Sequence, residues 1–337
     1  MNEFSVKRSD GTIYHQRRQQ PWPKDKPFRI LSIDGGGIRG ILPARILERV
    51  ESQVLGGGRI CDHVEMICGT STGGIIASAL GLGIPAQQIL SLYMDEGQEI
   101  FPKAKSDIIG LATHITKPLH ERKPLDDKLQ REFKGYVFGQ SVARLVIPSF
   151  DENIEPNVWK TDHHEDYKRD WKLPAGAPVA ATSAAPVFLA AYTGMERIQW
   201  DGGLYANSPL MMGVVDALAC YNLKREQIEV ISIGCGKVNL LPPKADAGIG
   251  QWVTKLQKVT GALQLHDSLG QAGLLIGRQR ILRIDPVLLQ DIPLDDYKAS
   301  AKLLPSLADK AFDENVGALK DFFTALSEER ERHYSAK

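Results

Sequence analysis

Net charge is what this chain has least of. Across its 337 residues, 41 Lys and Arg stand against 41 Asp and Glu. No global field draws it to a nucleic acid polymer, so only local basic patches remain to meet an anion. Cysteine is scarce: Cys61, Cys68, Cys220 and Cys235, with no C-x-x-C pair and three of them in apolar runs. That pattern argues against a disulfide framework and for free, buried thiols in a reducing compartment. The opening MNEFSVKRSDGTIYHQRRQQ lacks the apolar core of a secretory signal. The longest weakly polar run, Gly73 to Ala86, is too short and glycine-rich to span a bilayer, which takes about 20 residues. A soluble, cytoplasmic protein is expected. Internal repeats, low-complexity tracts and a D-x-[DN]-x-[DN]-G calcium loop are also missing. His163 and His164 are adjacent in a charged stretch, WKTDHHEDYKRD, without a well-spaced third ligand. They read as a solvated loop, and no metal or cofactor is expected.

What is present is an ordinary globular balance, 43% hydrophobic and 24% charged. Residues 1–26 are polar, end in PWPKDKP and read as a tail; residues 27–337 read as one domain. Phe28–Asp34 (FRILSID) has the look of a buried parallel strand, and Ile38 to Val50 carries apolar residues at helical spacing. Pro43 suits the first turn of that helix. Val64–Gly69 followed by STGGIIASALGLG repeats the strand–turn–helix pattern, and Pro85 to Ile100 reads as an amphipathic helix. Further strands are expected at Ala143–Asp151, Arg197–Asp201, Glu229–Gly234 and Ile281–Asp285. Alternating strands and helices predict an α/β sheet with helices on both faces. Residues 102–123 lack a clean period and read as a cap-like insert, and the chain from about 250 onward reads as helical.

Three glycine-rich turns come directly after predicted strands. In Gly69-Thr70-Ser71-Thr72-Gly73, a G-x-S-x-G between strand and helix, the glycines permit a strained turn that lifts the serine off the sheet. The helix behind it points free N–H groups at developing negative charge. In Asp34-Gly35-Gly36-Gly37-Ile38-Arg39-Gly40, adjacent amides at a helix start make a ready oxyanion hole, with Arg39 adding positive charge. The same letters satisfy G-x-G-x-x-G, a dinucleotide fingerprint. That motif expects a carboxylate ending the next strand, about 20 positions on, whereas LGGGRICDH supplies none. Asp201-Gly202-Gly203 puts an acid at a strand's carboxyl end, where a D-G turn is the competing reading.

Taken in order, DGGGIRG, GTSTGG and DGG resemble the three blocks of the patatin-like phospholipase family. ATSAAPVF (Ala181 to Phe188) resembles the segment before that family's aspartate, and Asn207 and Pro209 match the residues usual just after it. The resemblance runs from roughly Phe28 to Leu240. It implies a patatin-like three-layer sandwich with a mostly parallel central sheet. It implies a Ser71–Asp201 dyad, an oxyanion hole from the Gly36 and Gly37 amides with Arg39 in support, and hydrolysis of phospholipid esters at a membrane surface. A chain of this shape is also similar to the patatin effectors that bacterial anti-phage systems switch on with cyclic nucleotides. Its expected partners are therefore phospholipid at the inner face of the membrane, a cyclic nucleotide activator and further copies of itself in a homo-oligomer.

Arg278, Arg280 and Arg283 are weak candidates for phosphate contacts, surface arginines being the default. Ile108, Ile109 and Leu111, flanked by Lys103, Lys105, Lys117 and Lys123, form a candidate interfacial patch, an ordinary cap over the cleft being the alternative. Two other functions stay open: a Ser-His-Asp triad esterase acting on soluble esters, and a nucleotide-binding module using GGGIRG. For a triad, only His266 and His333 come after Asp201. The first sits in a helical stretch and the second in a charged tail expected to fray.

Overall fold

Strand β1 (Phe28–Ile33) is buried along its whole length, its apolar residues facing both sides of the sheet and its Arg29 paired with Glu65. It belongs to a computed structural model that describes residues 17–101, 117–240, 243–246, 248, 252 and 255–335. A single 3₁₀ turn (Gly37–Gly40) leads from β1 into α1 (Ile41–Arg49). Then come β2 (Met66–Gly69), α2 (Thr72–Gly81), α3 (Ala86–Ile100) and α4 (Lys123–Glu132). They are succeeded by β3 (Arg144–Asp151), β4 (Pro156–Lys160), α5 (Gly176–Thr182) and β5 (Gln199–Asp201). The short α6 (Gly203–Ala206) and α7 (Leu210–Cys220) lead to β6 (Ile228–Ile233). Helix α8 (Leu256–Ile276), β7 (Ile281–Ile284) and α9 (Tyr297–Phe323) complete the described elements. Most of the cap-like insert, including Lys103, Lys105, Ile108, Ile109 and Leu111, lies outside the described residues.

The strands form a seven-stranded sheet in the order β4-β3-β2-β1-β6-β7, with β5 also paired to β3. β1, β2, β3, β6 and β7 pair in parallel, while β4 and β5 run antiparallel to β3. Alternation along β1 sends Leu31 and Ile33 into one core with Ile41, Ile46, Phe312 and Phe323. Phe28 and Ile30 enter the other with Leu210, Val214, Ala272 and Ile276. Helices α1 and α9 thus cover one face and α7 and α8 the other, which is the expected three-layer α/β sandwich. Among the described residues, no helix is long and apolar enough to cross a membrane.

Three differences from the sequence-based expectation have physical causes. Strand β4 (PNVWK) escaped notice because it is short, begins with proline and alternates burial at the sheet edge. In the stretch read as a tail, Trp22 is buried, its ring centroid 4.9 Å from that of Phe28 and 5.5 Å from that of Tyr221. The tail holding His333 does not fray. Arg330, only 3% exposed, ion-pairs with Asp162 at 2.9 Å, and the Tyr334 and Ser335 N–H groups donate to the same carboxylate. Burial alone would raise the Asp162 carboxyl, but these three donors hold it down at about 2.

A second buried charge ties the amino end of the sheet together. Arg29 ion-pairs with Glu65 at 3.3 Å and donates to the Phe322, Ala325 and Leu326 carbonyls at the end of α9 and just past it. Replacing Arg29 with Met strands a buried Glu65 carboxylate, which should cost roughly 3–5 kcal/mol. Urea unfolding should show it as a lowered midpoint, part of which returns in the Arg29→Met, Glu65→Leu double variant.

Candidate active site

Register brings the candidate residues to one place. Pairing of β2 with β3 stops at Cys68 opposite Val146, and the rest of β3 is taken up by β5, with Asp201 opposite Ser149. Strand β5 therefore runs end-on toward β2, and Ser71 sits just beyond the carboxyl end of β2. This is the usual place for a ligand cleft in an α/β sheet.

Ser71 has φ +55° and ψ −123°, outside the allowed basins for an ordinary side chain. Such a conformation costs on the order of 1–3 kcal/mol and persists only when its surroundings enforce it. Close packing enforces it here. A Cβ on Gly69 would fall on the Gly73 carbonyl, and one on Gly73 would fall on that of Ile33. Gly73 N–H donates to Thr70 O and Gly74 N–H to Ser71 O, both at 2.8 Å, closing the turn into α2. The Ser71 N–H donates to Thr182 Oγ1 at 3.0 Å, and that hydroxyl donates to Pro148 O at 2.6 Å.

Asp201 is 4% exposed, with its carboxyl beside the Ser71 side chain. Its own N–H donates to Ala184 O at 3.0 Å, and Gly203 N–H donates to its Oδ1 at 2.7 Å. Burial pushes the carboxyl up to about 6, while the Ser71 and Gly203 hydrogen bonds pull it back. A serine hydroxyl touching a carboxylate of raised basicity can lose its proton to it.

The glycine loop lies against this pair. A Cβ on Gly35 would stand 3.3 Å from Ser71 Cβ and collide with Asn207 Oδ1. Gly35 N–H donates to Asn207 O and Ile38 N–H to Leu294 O. Between them, among the described residues, the Gly36 and Gly37 N–H groups have no acceptor within the chain. Gly37 adopts φ +55°, and a side chain there would strike the Leu294 carbonyl. Arg39 donates to Gly236 O at 3.4 Å, so its described hydrogen bond braces the loop after β6.

Among the described residues, no histidine hydrogen-bonds Ser71 or Asp201. His266 is exposed on α8, and His333 meets Gln20. Arg283 is no free phosphate contact: it donates to Asp34 at 2.6 Å, to Asp285 at 2.9 Å and to Ser232 at 2.7 Å. His163 and His164 are fully buried, not solvated. His163 Nε2 meets Asp216 Oδ2 at 2.8 Å, and with Cys220 the three bring ligand-type atoms within 4.8 Å of one another. Lys160 and Tyr167 also donate to Asp216, each at 2.5 Å, so a cation's place is already taken by the ammonium. Burial lowers His163 to about 4, leaving it neutral. Reading the sequence misses this network because Asp216 comes from a distant helix. It misses the role of Thr182 as well, since a threonine ending an alanine-rich helix carries no local mark.

The family model for patatin-like phospholipases matches residues 31–214, a span containing both Ser71 and Asp201. A cGAMP-activated phospholipase of Escherichia coli is 30% identical over 62% of this chain and 63% of its own length. One from Vibrio cholerae is 28% identical over 88% of this chain and 94% of its own. Patatin-like protein 1 of Oryza sativa is 31% identical over 63% and 57%. The chain belongs to the patatin-like phospholipase family, a family of ester hydrolases.

Proposed function

We propose that the protein hydrolyses acyl esters of membrane phospholipids with a Ser71–Asp201 dyad, and that a cyclic nucleotide switches it on. The observation that carries the reading is the placement of a buried Asp201 carboxyl beside a Ser71 held at positive φ. Ser71 Oγ attacks the ester carbonyl carbon as Asp201 takes its proton. The oxyanion then faces the otherwise unused Gly36 and Gly37 amides. Collapse expels the lysolipid alkoxide, which takes the proton back from Asp201. Water, deprotonated by Asp201, attacks the acyl-Ser71 ester, and Asp201 returns that proton to the departing Ser71 Oγ as the fatty acid is released. The relatives named as cGAMP-activated support the switch. The protein would act from the cytoplasm, docking transiently at the inner face of the membrane.

Hydrolysis of a short-chain p-nitrophenyl ester and of phospholipid vesicles, with and without cGAMP, tests the reading. Ser71→Ala and Asp201→Ala should each lower kcat by about 10³-fold or more, while His266→Ala leaves it unchanged. A loss in His266→Ala equal to that in Ser71→Ala would overturn the dyad.

Because the base must be ionised, kcat/KM should be level above about pH 6 and fall tenfold per pH unit below it. A pH–rate profile with no inflection near that value would exclude Asp201 as the base.

Stability should move the opposite way. Between pH 4 and 6 the unfolded chain releases the Asp201 proton while the folded chain keeps it, so stability is lost as pH rises through that window. The full difference from the ordinary value of 3.8 corresponds to about 3 kcal/mol. Asp201→Asn keeps the Ser71 and Gly203 contacts, so it should raise the Tm near pH 8 and lose that advantage near pH 4.

A further inference from the structure

Away from the dyad, a cavity of about 1120 Å³ opens between α4, β4, α5 and the segment leading into β5. That is slightly above the roughly 300–1,000 Å³ typical of ligand pockets. Neither Ser71, Asp201 nor any residue of the glycine loop lines it, so it is not where a scissile ester meets the nucleophile. We infer that this cavity is the activator site and takes a cyclic dinucleotide, two flat purines joined by two phosphates; this rests on the regulatory reading above.

The lining fits that chemistry. Phe133 and Trp159 make an apolar floor, and the Arg169 guanidinium lies 5.0 Å over the Trp159 ring. Tyr136, 39% exposed, and the half-buried Tyr192 offer ring faces for stacking near the mouth. Gln199 and Asn157 also line it, with Asn157 Nδ2 donating to Gln199 Oε1 at 3.2 Å, so the wall they form is braced from within. Of the lining acids, Asp126 and Asp151 are ion-paired with Arg122 and Arg197. Lys134 and Lys172 are exposed and, among the described residues, make no ion pair. They supply two cations for two phosphates, with only Glu196 against them.

The cavity also touches the elements that hold the dyad. Ala177 and Ala180 of α5 line it, and the next residues of the same segment grip both catalytic groups. Thr182 Oγ1 accepts the Ser71 N–H, and Ala184 O accepts the Asp201 N–H. Gln199 lines it too, two residues before Asp201 on the same face of β5. A ligand seated there bears on α5 and β5 together. This is a physical route from binding to the geometry of the pair, of the kind worth about 5–150-fold in effect.

The test uses the full chain and measures cGAMP binding by calorimetry beside basal and cGAMP-stimulated ester hydrolysis. Wild type, Ser71→Ala, Tyr136→Ala and the Lys134→Glu, Lys172→Glu double variant are compared, with phosphatidylglycerol vesicles as a second ligand. Tyr136, Lys134 and Lys172 are all exposed, so folding is not at stake. The expected result is equal binding by wild type and Ser71→Ala, and at least about tenfold weaker binding by the lysine double variant. Basal hydrolysis by that variant should stay within twofold of wild type. If it binds cGAMP as wild type does, the cavity is the wrong site while the regulatory reading survives. If wild type binds no cGAMP, both fall. If only vesicle binding is lost, the cavity is a lipid headgroup site and the assignment is overturned.

Discussion

The turn at Ser71 governs the rest of the site. A serine at positive φ has no intrinsic reason to stay there, and the local strain is of order 1–3 kcal/mol. It is held by contacts that allow no side chain at Gly69 or Gly73, and by the Thr182 hydroxyl that receives the Ser71 N–H. The close approach of β1 and β2 at their carboxyl ends is thus the source of the strain and also its restraint. Thr182 links this turn to β3 through Pro148, and β3 in turn positions Asp201 through β5. One chain of packed groups therefore sets the positions of Ser71 and Asp201 together.

The opposite end of the sheet is built from buried charge. Arg29 with Glu65, and Arg330 with Asp162, lash the segments beyond α9 beneath the strands. Such pairs are worth little net stability against apolar replacements, yet they define which backbone carbonyls and amides they accept. At the carboxyl end, Asp201 carries its burial with only two hydrogen bonds in compensation. Asp34 at that same end is matched by Arg283, whereas Asp201 makes no ion pair among the described residues.

Much of this was readable along the chain wherever the signal was local. The parallel strands announced themselves as apolar runs such as FRILSI, and the elbow as glycines flanking Ser71 between strand and helix. What stayed hidden depends on partners remote in sequence. Asp216 reaches back to His163, Asp162 reaches forward to Arg330, and Trp22 fills a gap between Phe28 and Tyr221. Strand β4 fell between, because an edge strand with alternating exposure differs little from an extended loop. Gly35 shows the limit of resolution even within a motif: its neighbours Gly36 and Gly37 drew the functional reading, yet it is Gly35 that lies against Ser71.

The central position of β1 carries a consequence for how the molecule is made. Its two neighbours are β2, nearby in sequence, and β6, whose Ile228 pairs with Phe28. Until β6 has emerged from the ribosome, this fully buried strand presents an open hydrogen-bonding edge. Closing a parallel pair over so long a loop is slow, and exposed strand edges recruit one another in the interval. The glycine loop after β1 cannot be braced by Cys235 and Gly236 until β6 has docked, so the turn beside Ser71 is completed late in synthesis.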